Sequence, residues 1–283
     1  FKLRTLGQSS GATLAPMTTL LVTNDDGVTS PALVPLIDAL SALPEVSRVN
    51  ALVPDRERSW ISKSISRFED ITIAERVAET GAPKIMTASG TPADCTNLGV
   101  HRVFDQKPDL VVSGINIGLN QGLAFLMSSG TVGAAAEGVV AGLPAVAFSV
   151  GVQGGHGTWV EHALSDAGAD IWKNAAIVAA DIVSTVLAHG LPGDIDLLNV
   201  NFPADVTLDT PRLVTEVARV GYDGLFSSQD GERYVFKYEG LKERQPIRVP
   251  TDHEVLHDGK VSITPLRLPH ATAIDAKLSA ALI

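Results

Sequence analysis

From Thr18 onward the chain alternates between continuous apolar runs and stretches whose apolar residues recur every three or four positions. Thr19-Leu20-Leu21-Val22-Thr23 has the length and continuity of a buried strand. Residues 31–43 predict a helix, because Leu33, Leu36, Ile37 and Leu40 share one face and Pro31 suits a first turn. The same reading predicts strands at 49–53, 71–73, 84–86, 109–113, 145–148 and 197–202. It predicts helices at 92–104, 132–141 and about 164–189, the last with Leu164, Ile171, Val178 and Ile182 on one stripe. Strands alternating with helices imply an α/β fold, a mostly parallel sheet flanked by helices on both faces. After Pro203 the texture becomes more polar. The β-leaning pieces at 212–219, 232–238 and 261–266 predict an antiparallel extension or protruding arm. Such an arm suits an accessory or oligomerising element better than an independent domain.

Composition narrows the function classes. Of 283 residues, 45% are hydrophobic and 19% charged, enough for a large core, so disorder does not describe the chain. Acidic residues outnumber basic ones 32 to 22, for a formal net charge of −10. A duplex-binding surface normally carries a basic excess, so duplex nucleic acid is not an expected partner. A small anion in a local pocket stays compatible with that balance. The single cysteine, Cys95, can form neither an internal disulfide nor a Cys-rich zinc site, which fits a reducing, cytoplasmic setting. No uninterrupted apolar run of about eighteen residues is visible, so a membrane association is not expected. Residues 1–16 hold Lys2 and Arg4, no acid and no apolar period; they read as an expression scar or leader ahead of Met17.

In an open α/β sheet, ligands gather beyond the carboxyl ends of the strands, where the strand order reverses. The residues that follow each strand therefore carry the search. Asn24-Asp25-Asp26-Gly27 puts two adjacent carboxylates at a strand end. Such a pair is tolerated if a cation neutralises it, and hard divalent cations prefer these oxygens. The competing explanation is an ordinary turn with an Asp helix cap. Ser113-Gly-Ile-Asn116-Ile-Gly-Leu-Asn120 offers neutral oxygens and amide donors, or else a turn closed by Asx hydrogen bonds. Ser129-Gly130-Thr131 opens the small-residue helix and is either an anion site or a plain N-cap. Thr91-Pro92-Ala93-Asp94 has the same grammar and favours capping. Arg56, Arg58, Ser59 and Lys63 form a local basic group that could orient a phosphate or merely be a solvated loop. Cys95 reads as core, and DHEVLH at 252–257 does not match a zinc-binding HExxH.

Taken together, LLVTNDDGV (20–28), VPDRERS (53–59), SGTPADCTNLGV (89–100), PDLVVSGINIGLN (108–120), SGTVGAAAEG (129–138) and GKVSITPL (259–266) resemble the SurE family of survival-protein nucleotidases. The pieces occur in the family's order, and their joint occurrence is specific. The resemblance implies a single Rossmann-like domain over 17–283, with an α/β core at 17–203 and a β extension and C-terminal oligomerisation arm at 204–283. It implies a metal-dependent phosphatase that hydrolyses nucleoside 5′- and 3′-monophosphates, with short polyphosphate as a further substrate. It implies one Mg²⁺ or Mn²⁺ per subunit, held by Asp25, Asp26, Ser59 and Asn116, with the two aspartates also catalytic. Asn24, Asn120, Ser129, Gly130 and Thr131 would surround the phosphate, and Asp252 is a weaker candidate for proton delivery. A homodimer or homotetramer joined through the arm is also implied.

Three departures bear on substrate preference. Trp60 follows Ser59 where the family usually has a small residue, residues 121–128 lack the acidic pair and Tyr common before SGT, and Lys260 replaces a usual Tyr. Trp60 and Phe125 could narrow a base pocket or stack on a base. Two rivals follow from the residues. A haloacid-dehalogenase-type phosphatase needs a nucleophilic Asp where Asn24 stands, and an amide cannot form an aspartyl-phosphate. A nucleotide-binding protein with vestigial chemistry would show damaged ligand positions, and these are whole.

Overall fold

The computed structural model describes residues 18–76, 83–151, 156–245, 250–269 and 279, so the expected leader and the last part of the C-terminal arm lie outside the described residues. The elements run β1 (Thr18–Thr23), α1 (Leu33–Ser41), β2 (Val46–Pro54), β3 (Ile73–Arg76), β4 (Ile85–Ala88), α2 (Pro92–Leu98), β5 (Leu110–Ile117), α3 (Gly122–Ser128), α4 (Gly130–Val140), β6 (Ala145–Gly151), α5 (His156–Ala163), α6 (Ala169–His189) and β7 (Leu197–Pro203). Then follow β8 (Arg212–Val214), β9 (Arg219–Gly221), β10 (Phe226–Ser228), β11 (Tyr234–Phe236), β12 (Lys242–Gln245), α7 (Asp252–His257) and β13 (Val261–Leu266).

The apolar runs become strands buried on both faces because alternate side chains feed two separate cores. Leu20 and Val22 of β1 point with Val112, Phe148 and Val200 into the layer covered by α1 and α6. Leu21, Val111 and Ala147 point the other way, onto α2 and α4 through Cys95, Val132 and Ala135. Ala and Gly make up most of α4, which lets it lie close to the sheet.

Nine strands form the main sheet in the order β3-β4-β2-β1-β5-β6-β7-β13-β8. The stretch from β4 to β7 is parallel throughout. The chain moves outward from β1 to β2 and β4, then returns to β5 and runs outward the other way. The order therefore reverses between β1 and β5, whose carboxyl ends frame the crevice where such sheets bind ligands.

Several expectations are corrected. The predicted 164–189 helix starts only at Ala169, because a tight turn at Asp166–Gly168 separates it from α5, and Leu164 is exposed. The Asp166–His189 stretch, 24 residues with an apolar window of mean hydropathy 1.4, does have the length and composition of a bilayer span. The simple run count misses it because Asp170, Lys173 and Asp181 punctuate the stretch; its Trp172, Ala175, Val178 and Ile182 are buried in the core. Two of the three pieces assigned to the arm instead complete the main sheet. β13 pairs antiparallel with β7, and β8 pairs with β13. Among the described residues only the β9–β12 pair and the β10–β11 hairpin stand apart from the sheet. The 109–113 strand continues to Ile117 through a register irregularity between Ser113 and Asn116, so the first part of the SGINIGLN motif is strand rather than loop.

Candidate active site

β1 ends by delivering Asp25 into a nearly closed position and Asp26 to its edge. Asn24 is wholly buried, and its carboxamide closes the turn on both sides. Its Nδ2 donates to the Gly27 carbonyl at 3.1 Å, and its Oδ1 accepts the Gly27 N–H at 3.0 Å. Both amide atoms bond to Gly27, so Asn24 closes the turn, and one Nδ2 proton has no acceptor among the described residues. Gly27 has φ +81°, and a Cβ there would lie 2.7 Å from the Arg56 carbonyl carbon, so only glycine lets the 55–59 loop lie against the turn. The Arg58 N–H donates to the Asp25 carbonyl at 2.7 Å, which fixes that loop beside the carboxylates.

Asp25 meets the start of α4. Thr131 Oγ1 donates to Asp25 Oδ1 at 2.6 Å. A Cβ on Gly130 would stand 2.8 Å from the Asp25 Cβ and Oδ2, so the helix approaches this closely because residue 130 has no side chain. Ser129 caps the helix, its Oγ accepting the Val132 N–H at 3.0 Å. The Asp25 carboxylate thus occupies the end of a helix that favours an anion. Asp26 turns toward β5, where its Oδ2 accepts the Ile117 N–H at 3.0 Å. Asn116, one residue earlier, donates Nδ2 to the Gly118 carbonyl at 2.6 Å, leaving Oδ1 with no donor on it among the described residues. Ser59 is exposed, its Oγ donating to Glu57 Oε1 at 2.7 Å.

Asn120 is the centre of a buried polar relay. Its Nδ2 donates to Ser149 Oγ at 2.8 Å and to Thr131 Oγ1 at 3.3 Å. Its backbone is held by two β7 side chains: Asn201 Oδ1 accepts the Asn120 N–H at 2.8 Å, and Asn199 Nδ2 donates to the Asn120 carbonyl at 2.8 Å. The relay runs from β7 through Asn120 and Thr131 to Asp25. Sequence reasoning missed Asn199 and Asn201. The available signal was two amides alternating inside the otherwise apolar strand Leu197-Leu198-Asn199-Val200-Asn201-Phe202.

The electrostatics of the pair are uncompensated. Burial pushes the Asp25 carboxyl up to about 6, against the lowering effect of the Thr131 hydrogen bonds. Burial also raises Asp26 well above the usual carboxylate range, and the charge of Asp25 adds to the shift. Glu57 pushes both in the same direction. Among the described residues no Lys, Arg or His forms an ion pair with either aspartate. The basic group after β2 does not converge on them. Lys63 pairs with Glu137 at 2.5 Å, and Arg58 Nη2 donates to the Ser89 carbonyl at 2.5 Å. Nor do the described residues contain a cluster of three or more His, Cys, Asp or Glu side chains that could cage a metal. What the site offers is a mixed set of carboxylate, carboxamide and hydroxyl oxygens around an excess negative charge. That donor chemistry fits a hard divalent cation of the Mg²⁺ or Mn²⁺ type.

Two other candidates prove structural. Thr91 and Asp94 form a reciprocal capping box on α2. Asp252 receives the N–H groups of Gly122 at 2.7 Å, Ala218 at 2.9 Å and His253 at 2.8 Å, so its oxygens clamp α3 to the start of the arm. Cys95 is fully buried, with its thiol pushed up by desolvation and by the charges of Asp94 and Asp55, as suits a core residue. A hollow of about 420 Å³ between α3 and the β9–β12 pair, lined by Leu123, Val220, Tyr222 and Arg244 among others, has none of the Asp25, Asp26, Asn116 or Thr131 side chains in its wall.

Fold and site together define a Rossmann-like α/β protein with a carboxylate-rich set of oxygen groups at its switch point. Residues 20–223 match the family described as survival protein SurE. The chain is 34% identical over 259 residues to the 5′-nucleotidase SurE of Hyperthermus butylicus, covering 90% of this chain and 86% of that one. It is 37% identical over 257 residues to the 5′-nucleotidase SurE of Methanocella arvoryzae, covering 88% and 91%. It superposes on the crystal structure of the SurE protein from Aquifex aeolicus with a TM-score of 0.72 at 31% identity, over 93% of this chain and 99% of that one. The chain belongs to the SurE family.

Proposed function

We propose that the protein is a divalent-metal-dependent phosphatase that hydrolyses nucleoside 5′- and 3′-monophosphates to nucleoside and phosphate, and also trims short polyphosphate. The observation that carries this reading is the pair of adjacent carboxylates, Asp25 buried against a helix start and Asp26 half-buried beside it, with no ion-paired cationic side chain among the described residues, in a chain similar to proteins named 5′-nucleotidases.

In this reading Asp25, Asp26, Ser59 and Asn116 hold one Mg²⁺ or Mn²⁺ per subunit. Such a cation, when bound, polarises a phosphoryl oxygen and lowers the pKa of a coordinated water. The protein's own part is to orient and stabilise the ester. Ser129 and Gly130 offer hydroxyl and N–H donors to the phosphate at the start of α4, where developing negative charge is favoured, and Thr131 beside them commits its hydroxyl to Asp25 and so fixes that carboxylate against the helix start. Asn120 holds the Thr131 hydroxyl in place, and Asn199 and Asn201 hold Asn120. An excess of fixed carboxylate charge would repel a phosphate dianion, which makes neutralisation of Asp25 and Asp26 a condition for binding it. The same reading places the protein in the cytoplasm, where a lone buried thiol stays reduced, and makes it a homodimer or homotetramer joined through the arm, which exposes Phe226 and Tyr234.

The test is phosphate release from AMP and GMP with Mn²⁺ and with EDTA. Release that requires the cation is expected. Nucleotide binding with no release under any divalent cation would refute the enzyme reading in favour of a binding protein.

A further inference from the structure

The chain carries a cluster of aromatic rings beside this site that neither core accounts for. Trp60 lies 5.8 Å from Phe125, 5.6 Å from Tyr222 and 5.4 Å from Phe236, centroid to centroid, and Phe125 lies 5.6 Å from Tyr238. These rings come from three separate segments: the loop after β2, helix α3, and the arm. They are not a closed core, since Trp60 is 42% exposed and Phe236 56%. The backbone at Trp60 has φ +60° and that at Ser62 φ +54°, a left-handed conformation that bulky residues resist. Strain of this kind persists where surrounding contacts over-determine it, and it concentrates at ligand sites. Here the loop is pinned by Ser62, whose N–H donates to the Ser128 carbonyl at 3.0 Å and whose Oγ donates to the Met127 carbonyl at 2.8 Å.

Those anchors place the cluster relative to the chemistry. Trp60 directly follows Ser59, and the Ser62 anchor is the residue before Ser129-Gly130-Thr131. A half-exposed indole held against other rings, next to a set of phosphate donors, presents the surface that a nucleobase requires. Stacking is tolerant of base identity and needs an aromatic face with an open side. We propose that Trp60, supported by Phe125, Tyr222, Phe236 and Tyr238, is the nucleobase-binding platform of the site, so that the arm takes part in selecting the substrate. The proposal rests on the nucleotidase reading above.

The experiment compares kcat/KM for AMP and for ribose 5-phosphate, which is the same ester without its base, in the full chain with Mn²⁺. Trp60→Ala is expected to lower the AMP to ribose 5-phosphate ratio about tenfold, within the range measured for losing one base–aromatic stack. Trp60→Phe should keep most of the ratio. Phe236→Ala, remote from Ser59 in sequence, should lower the same ratio. A loss shared equally by both esters in Trp60→Ala, or an unchanged ratio in that variant, overturns the platform. Adenosine supplies a readout independent of turnover: it should quench tryptophan emission in the wild type, and Trp60→Phe should remove that quench. If the wild type releases no phosphate from either ester, the nucleotidase reading fails while the adenosine titration still decides the platform, and no quench in the wild type overturns it.

Discussion

Asp25 answers to two demands at once. It is nearly buried, with an acidic neighbour and a nearby Glu57, yet it is fixed by the Thr131 hydroxyl at the start of α4. An amide in its place would keep an acceptor for Thr131 and remove the charge. Asp25→Asn is therefore expected to lower Mn²⁺-dependent phosphate release by at least about a thousandfold, in keeping with losing a preorganised charge at the reacting centre. The metal-free variant should melt no lower than the wild type, because it loses a repulsive, desolvated anion rather than a supporting contact. Calorimetry alongside the assay checks both halves, and a variant with wild-type turnover would remove Asp25 from the chemistry. The sequence announces the twin aspartates, since charge at the end of an apolar run is unusual. It does not announce the hydrogen bonds by which Asn24, a residue that the family resemblance places near the phosphate, closes the turn on Gly27. Asn199 and Asn201 stay hidden for a related reason: their meaning depends on Asn120, about eighty positions away.

At the scale of elements, local periodicity identifies the central strands β1, β5, β6 and β7 because each is buried on both faces and reads as an apolar run. It could not say which strands pair. β13 and β8 look like arm pieces in sequence, and only the antiparallel register of β13 on β7 brings them into the main sheet. α3 was missed because its start has no side-chain cap and its exposed face carries Leu123 and Met127. What fixes α3 is remote: Asp252 receives the Gly122 N–H at its first residue and the Ala218 N–H before β9. Asp252→Ala would leave three backbone donors without their acceptor in a site where the side chain is wholly buried. A loss of about 2–4 kcal/mol in urea denaturation is expected. Asp252→Asn, which keeps one acceptor oxygen, should lose less. A loss below about 0.5 kcal/mol for the alanine variant would show that the clamp contributes little.

For the molecule as a whole, the site ties stability to pH and to metal through the same two carboxyls. In the metal-free fold burial holds the Asp25 carboxyl up at about 6, above the usual value of about 4, and burial and the charge of Asp25 raise Asp26 in the same direction. Between these values the folded chain holds protons that the unfolded chain has lost, so stability from this source is full below about pH 4 and declines as pH rises through about 6. A bound cation should reverse the sign, because it requires the deprotonated carboxylates and so binds more tightly as pH rises through the same window. The melting temperature measured in EDTA should therefore fall between pH 5 and 7.5 in the wild type and fall less in Asp25→Asn. The increase produced by Mn²⁺ should be larger at pH 7.5 than at pH 5. Equal Mn²⁺ shifts at both pH values would mean that the ion is held somewhere other than between Asp25 and Asp26.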